Sequence, residues 1–204
     1  MKQLFLFGLA FLMMSSCCCQ TSDQGEAKST EDVVIENILN RRSIRAYKSE
    51  QIKESELDKL ITSAINAPSA RNLQPWEVRV IQNPEILAAI NSGFGTRSES
   101  ESARSTFHNS PALIIVAHDT NNSYGAFDCG LLTQNILLAA EAMNIGTCVV
   151  GHVIPTLNLP EAKDLIEQLN FSEGYKPIVG ISLGYKDQAP EAKPRDAAKV
   201  QVIK

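Results

Sequence analysis

The stretch from Gly125 to Met143 constrains this chain more than any other. Ala126, Phe127, Leu131, Leu132, Ile136, Leu137, Leu138, Ala139, Ala140, Ala142 and Met143 leave little polar surface around a helix of that length. A helix that is apolar on most sides is buried on most sides, inside a core or against a second chain. Asn144-Ile145-Gly146 supplies its turn and C-terminal stop.

The elements that cover it follow from periodicity. Ser29, Thr30, Glu31 and Asp32 suit a helix start, and Val33, Ile35, Ile38 and Leu39 mark an apolar stripe to about Asn40. Leu57, Leu60, Ile61, Ala64 and Ile65 recur at helical spacing from Lys53 to about Asn66, before Pro68 stops the pattern. Trp76 to Gln82 alternates and predicts a strand. Pro84 opens a short helix to about Ser92, and residues 93–110 read as a mobile polar loop with one helical turn. Leu113 to Ala117 is a continuous β-branched run that fits a central buried strand. Thr147–Gly151 and Pro177–Tyr185 predict further strands, with a helix over Glu161–Leu169 between them. Helices and strands alternate without a regular βαβ rhythm. The fold class is α+β or mixed α/β, a central antiparallel or mixed sheet surrounded by helices. Charged residues make up 21% and hydrophobic ones 44%, which excludes a disordered chain, and a net charge of −4 gives no basic surface for nucleic acid.

The N-terminus reads differently. Met1-Lys2 precedes an apolar run from Leu4 to Met14, then Ser15-Ser16 and Cys17, Cys18 and Cys19. A charged start, a short apolar run and small residues mark a signal peptide over residues 1–16. Residues 17–30 are expected to be a disordered tether, and 31–204 a single domain. Small residues before a cysteine resemble the lipobox of bacterial lipoproteins. That resemblance implies cleavage and lipid attachment at Cys17, with Cys18 as the alternative. The expected location is the cell envelope, with the membrane reached only through the lipid; a secreted or periplasmic soluble protein is the other reading. Cys129 and Cys148 lie in apolar stretches and read as small buried hydrophobes. His108, His118 and His152 show no partner spacing such as HExxH, so each is expected to be structural or exposed and no metal is expected.

Neither the GxGxxG of a dinucleotide fold nor a P-loop is present. Four other segments carry chemistry. Arg41, Arg42, Ser43 and Arg45 follow the first helix; guanidiniums grip phosphate bidentately, and the same residues also suit a helix C-terminus. Ala67 to Trp76 holds Pro68, Ser69, Ala70, Asn72 and Gln74. Its amides can read a polyol or a pyrimidine edge, and it equally makes a turn-rich connection. Gly146 to Gly151 lets a flat ligand approach the backbone at a strand end, unless its glycines only stop the helix. Lys193 and Arg195 form a second cationic pair.

In order and spacing, RRSIRAY at 41–47, APSARNLQPW at 67–76, the helix 126–143 followed by GTCVVG, and LGYKDQAPEAKPR at 183–195 together resemble the FMN-dependent nitroreductases. The resemblance runs from about residue 33 to residue 200. It implies an intertwined homodimer with FMN at the subunit interface and the 126–143 helix in the dimer core. By it, Arg41, Arg42 and Ser43 hold the phosphate side, and Arg45 the pyrimidine edge. Pro68, Ser69, Ala70 and Asn72 approach from the partner subunit, with Gln74 nearby. Val150 and Gly151 place backbone groups at the reactive edge, and Lys193 and Arg195 close over the phosphate. It also implies ping-pong hydride transfer from NAD(P)H, or another envelope reductant, to a nitroaromatic, quinone or similar small-molecule acceptor. No catalytic side chain is required, because the cofactor carries the chemistry. The alternative is a protein of the same fold that binds or consumes flavin without turnover. Segment 93–110, which caps the pocket in the family, is shorter here than in larger members.

Overall fold

The computed structural model describes residues 28–97 and 105–204. The expected signal peptide and all of the tether except Lys28–Thr30 lie outside the described residues, as does part of the loop expected over 93–110. Lys28–Thr30 are not tether: Lys28 pairs with Glu36 at 2.6 Å, Ser29 Oγ accepts from the Asp32 N–H at 3.1 Å, and Thr30 begins the first helix. A serine N-cap supplies an acceptor that the open end of a helix otherwise lacks, and so fixes this start.

The helices are α1 (Thr30–Asn40), α2 (Glu54–Ile65), α3 (Pro84–Asn91), α4 (Gly125–Ala142), α5 (Val153–Leu157) and α6 (Lys163–Leu169). The strands are β1 (Trp76–Ile81), β2 (Ala112–Asp119), β3 (Ile145–Val149) and β4 (Tyr175–Tyr185). They form one antiparallel sheet in the order β1-β2-β4-β3. The continuous apolar run in β2 has a simple cause. Ala112, Ile114 and Val116 face α2 and α4 on one side, and Leu113 and Ile115 face α3, α5 and α6 on the other. Both faces are covered, so alternation disappears from the sequence. Each large aliphatic side chain buried this way contributes about 1.5–3 kcal/mol.

Two sequence expectations need correction. Strand β3 begins at Ile145, two residues earlier than expected, so Asn144 alone, at φ 56°, makes the turn from α4. Helix α5, which follows β3, has too few residues to register as a periodic pattern. Within one subunit α4 is buried along one side only: Leu132, Ile136 and Ala140 are covered, whereas Phe127 is 67% exposed. The apolar stripe of α1 is also uncovered, with Val33, Val34, Ile35 and Ile38 exposed and Leu39 at 66%.

The segment after α1 is tied to the sheet at two places. Ser43 bridges Thr147 of β3, and Tyr47 bridges Lys186 just past β4. Ile44 donates its N–H to the Thr147 carbonyl at 2.9 Å and is buried. Its side chain lies over Gly146, where a Cβ would stand 2.8 Å from Ile44 Cγ2 and 3.0 Å from Ile44 Cβ. The Tyr47 hydroxyl donates to the Ile44 carbonyl at 2.5 Å and meets Ser182 Oγ at 2.7 Å. Burial pushes the Tyr47 phenol well above its ordinary range, so it stays protonated as a donor.

Gly146→Ala is expected to lower stability by roughly 1–3 kcal/mol through overpacking. With Ile44→Ala added, the double variant should lose less stability than the sum of the two single costs, because the contact is shared. Thermal unfolding of the four proteins checks this; strict additivity would overturn it.

Candidate functional site

Two segments far apart in the chain meet at one cavity. Arg41, Arg42, Ser43 and Arg45 line it from the segment after α1, and Pro190, Glu191, Lys193 and Arg195 from the segment after β4. Its volume is about 140 Å³. Their convergence follows from the sheet: Ser43 lies on β3, β3 pairs with β4, and the Asp187 N–H donates to the Ala46 carbonyl at 3.0 Å. Among the described residues, five cations and a single carboxylate, Glu191, line this space. Arg42 also serves the helix end, donating through Nη1 to the Leu39 carbonyl at 2.6 Å and the Arg41 carbonyl at 2.9 Å. Arg195 Nη1 donates to the Lys193 carbonyl at 2.9 Å, folding the tail cation back over its own loop. The donor set matches a phosphate-sized dianion in charge and hydrogen-bonding chemistry.

Arg45 also lines a second cavity of about 530 Å³. Its other walls are Arg97, Ser105, Thr106, His108, Cys148, Val149, Val150 and His152. Here the chain leaves β3 and turns. The Val150 N–H donates to the Gly180 carbonyl at 2.8 Å, and Val150 is 4% exposed. A Cβ on Gly180 would collide with Val153 Cγ1 and crowd the Val150 carbonyl at 2.9 Å, so glycine lets the turn pack on β4. The expectation that Val150 offers its backbone to a ligand is thereby narrowed, because its N–H is already used. The close approach expected of Gly146 is also reassigned: it admits Ile44, not a ligand. Gly151 is exposed beside open space.

Histidines 108 and 152, expected to be structural or exposed, face this same cavity. No spacing pattern joins them; the turn after β3 brings His152 toward the turn carrying His108. Burial, with the positive charges of Arg45 and His152 behind it, holds the His108 imidazole below its ordinary pKa. Cys129 and Cys148 are both buried free thiols, as expected. Burial beside Asp128 pushes the Cys129 thiol up to about 12, which leaves it unreactive.

The 67–76 loop lies elsewhere. Pro68, Ser69, Ala70, Asn72 and Gln74 line neither cavity of their own chain. The loop is held against the first turn of α4, where the buried Asp128 carboxylate accepts the Ala70 N–H at 3.1 Å. Ser69 Oγ accepts the Gln74 N–H at 3.0 Å, and Gln74 Nε2 donates to Asn72 Oδ1 at 3.3 Å. Arg71, Asn72 and Gln74 all have positive φ, near 50–56°. Outside glycine that conformation is strained, and here it presents exposed polar side chains outward.

The sequence pattern of the Nitroreductase family matches residues 38–185. The chain belongs to that family. It is 34% identical over 157 residues to an Archaeoglobus fulgidus protein provisionally named an NADH dehydrogenase/NAD(P)H nitroreductase, covering 74% of this chain and 84% of that one. It is 30% identical over 177 residues to the NADPH-flavin oxidoreductase of Vibrio harveyi, covering 82% and 72%. Among solved structures, a nitroreductase with bound FMN from Desulfitobacterium hafniense superposes with a TM-score of 0.75 at 26% identity, covering 84% of this chain and 98% of that one. The matched residues include Arg41–Arg45, the 148–152 turn and the 68–74 loop, whereas Pro190–Arg195 lie beyond them.

Because the folded state holds the His108 pKa below 6.5, the unfolded chain takes up that proton first as pH falls. The stability linked to His108 is therefore intact above about pH 6.5 and lost as pH drops toward the lower folded value. His108→Gln should shrink this acid-side loss in thermal unfolding. An imidazole midpoint at or above 6.5 by NMR would refute the assignment.

Proposed function

We propose that this nitroreductase-family chain is an FMN-dependent oxidoreductase that passes electrons from NAD(P)H, or from another envelope reductant, to a nitroaromatic, a quinone or a similar acceptor. The observation that carries it is the pairing of two cavities through one residue. A phosphate-sized cationic cavity adjoins a larger one, and Arg45 lines both. That is the division a flavin mononucleotide needs, with a dianion at one end and a flat ring at the other.

Arg41, Arg42, Ser43, Lys193 and Arg195 would hold the phosphate by charge-assisted hydrogen bonds. When bound, FMN supplies two-electron acceptance from the donor and delivery to the acceptor. Arg45 holds a fixed positive charge beside the ring's space, where it favours negative charge gained on reduction. Val150 walls that space, and Gly151 next to it is exposed without lining it. Pro68, Ser69, Ala70, Asn72 and Gln74 would reach the same ring from a partner subunit. Three features support a homodimer: this loop lines neither cavity of its own chain, the stripe of α1 is uncovered, and Phe127 of α4 is exposed. Patches of this kind mark association surfaces.

The purified protein is expected to be yellow and dimeric by light scattering, to be bleached by NADH or NADPH, and to regain colour with a nitro compound or quinone. Arg195→Ala or Arg41→Ala should raise the FMN dissociation constant roughly tenfold or more. A monomer with full flavin content would overturn the interface site, and a yellow colour indifferent to every reductant would indicate flavin binding without turnover.

For location, the leader over residues 1–16 supports a lipid anchor on Cys17 at the cell envelope. Several chains on one residue hold a membrane where one chain would not. Pyridine nucleotides are scarce outside the inner membrane, so the natural reductant there would be an envelope redox carrier. The full chain is expected to fractionate with membranes through a high-salt wash and to be released by Cys17→Ala. Retention of that variant at the membrane would exclude Cys17 as the anchor.

A further inference from the structure

Asp128 carries a carboxylate into the core, and neither cavity uses it. It lies in the first turn of α4 and is 1% exposed. Burying a carboxylate is costly unless an opposite charge or hydrogen bonds compensate it. Among the described residues no cation pairs with it. Compensation comes from two other sources. The N-terminal end of α4 favours negative charge in its first turn, and the 67–76 loop offers the Ala70 N–H at 3.1 Å.

That bond falls in the middle of the loop. Ala67 is buried at one end and Trp76 at the other, whereas residues 71–74 between them are exposed. Ala70 opens a single 3₁₀ turn, Ala70–Asn72, and the first N–H groups of such a turn have no partner within it. Ser69, directly before, does not cap it; the Ser69 hydroxyl accepts from the Gln74 N–H instead. Asp128, 58 residues further along the chain, supplies the missing acceptor. The left-handed residues Arg71, Asn72 and Gln74 follow immediately. Such conformations persist only where the surroundings over-determine them. Tyr124 and Phe127, beside Asp128 at the start of α4, are both exposed, so this turn borders the surface proposed for the partner.

We propose that Asp128 is a positioning residue for the flavin site of the other subunit. It holds the Ala70 N–H, and with it the 68–74 loop, in the conformation that meets a ring bound by the opposite chain. The proposal rests on the interface reading above. Each flavin site then takes its cations from one chain and its loop, with the carboxylate behind it, from the other. Loss of Asp128 therefore weakens the site whose phosphate the opposite chain holds and spares the site whose cations share its own chain.

Flavin titration of full-chain dimers tests this. Asp128→Ala should raise the FMN dissociation constant about tenfold or more, whereas Asp128→Asn, which keeps an oxygen acceptor for Ala70, should stay within about threefold of wild type. Ala70→Pro removes the same bond from the loop side. Ser69 already has the extended backbone that suits a residue before proline, and proline suits the first position of a helical turn. Ala70→Pro should weaken FMN binding as Asp128→Ala does, and combining the two should cost little more than either alone. The deciding experiment is a mixed dimer, isolated with two tags, of an Asp128→Ala chain and an Arg41→Ala, Arg195→Ala chain. Each parent homodimer should bind FMN weakly at both sites. The mixed dimer should regain one site of wild-type affinity, with cations from the first chain and loop from the second. A mixed dimer without such a site overturns the proposal, because Asp128 would then act within its own chain. Wild-type affinity in Asp128→Ala, or in Ala70→Pro if the first variant does not fold, overturns it too and leaves the FMN reading standing. A wild-type protein that takes up no FMN overturns both.

Discussion

The contact of Ile44 with Gly146 is the constraint on which the site depends. Ile44 occupies the place where any side chain at 146 would stand, and its N–H completes a bond to β3. That contact lays the Arg41–Tyr47 segment along the strand that leads directly into Val150 and His152. The Tyr47 hydroxyl then ties the Ile44 carbonyl, to which it donates, to Ser182 of β4, whose single hydroxyl proton is shared between Tyr47 Oη and the Cys148 carbonyl at 3.2 Å. The phosphate-sized cavity and the ring-sized cavity share a wall because these backbone segments are locked together.

Electrostatics then works against the bare fold. Arg41, Arg42, Arg45, Lys193 and Arg195 are drawn together by backbone pairing, not by attraction for one another. Like charges at such spacing repel, although solvent screens the exposed ones. Arg42 offsets part of this by bonding the carbonyls at the end of α1, where the helix presents partial negative charge. Lys193 and Arg195 lie on an exposed tail, which limits the repulsion until an anion draws them in. The arrangement is more favourable with a dianion than without one, which is the property a cofactor site requires.

Packing is incomplete in a comparable way. The sheet is covered on both faces, yet the stripe of α1, Phe127 on α4, and Val200, Val202 and Ile203 in the tail remain exposed. The loop at 68–74 carries the cost of three left-handed residues and an accepting buried carboxylate, and its residues line neither of the two cavities of their own chain. A second subunit, as proposed, would cover the first group and give the second a ligand to meet.

Much of this was legible in the sequence because it is local. The apolar character of α4, the alternation of β1, the continuous run of β2 and the prolines bounding α2 and α3 each follow from side chains a few residues apart. The four motifs also marked the site segments by order and spacing. Several features were decided only by tertiary structure. Lys193 faces Arg41 because β3 pairs with β4 and carries both segments to one edge. His108 and His152 line one cavity because the turn after β3, seated on Gly180, carries His152 to the space that the turn before β2 also borders. Gly146 reads in sequence as a helix stop or an opening for a ligand, and it is neither, because Ile44 arrives from a hundred residues earlier. Periodicity reports which face of an element is apolar. It carries no term for strand order, and strand order determines which distant side chains share a cavity.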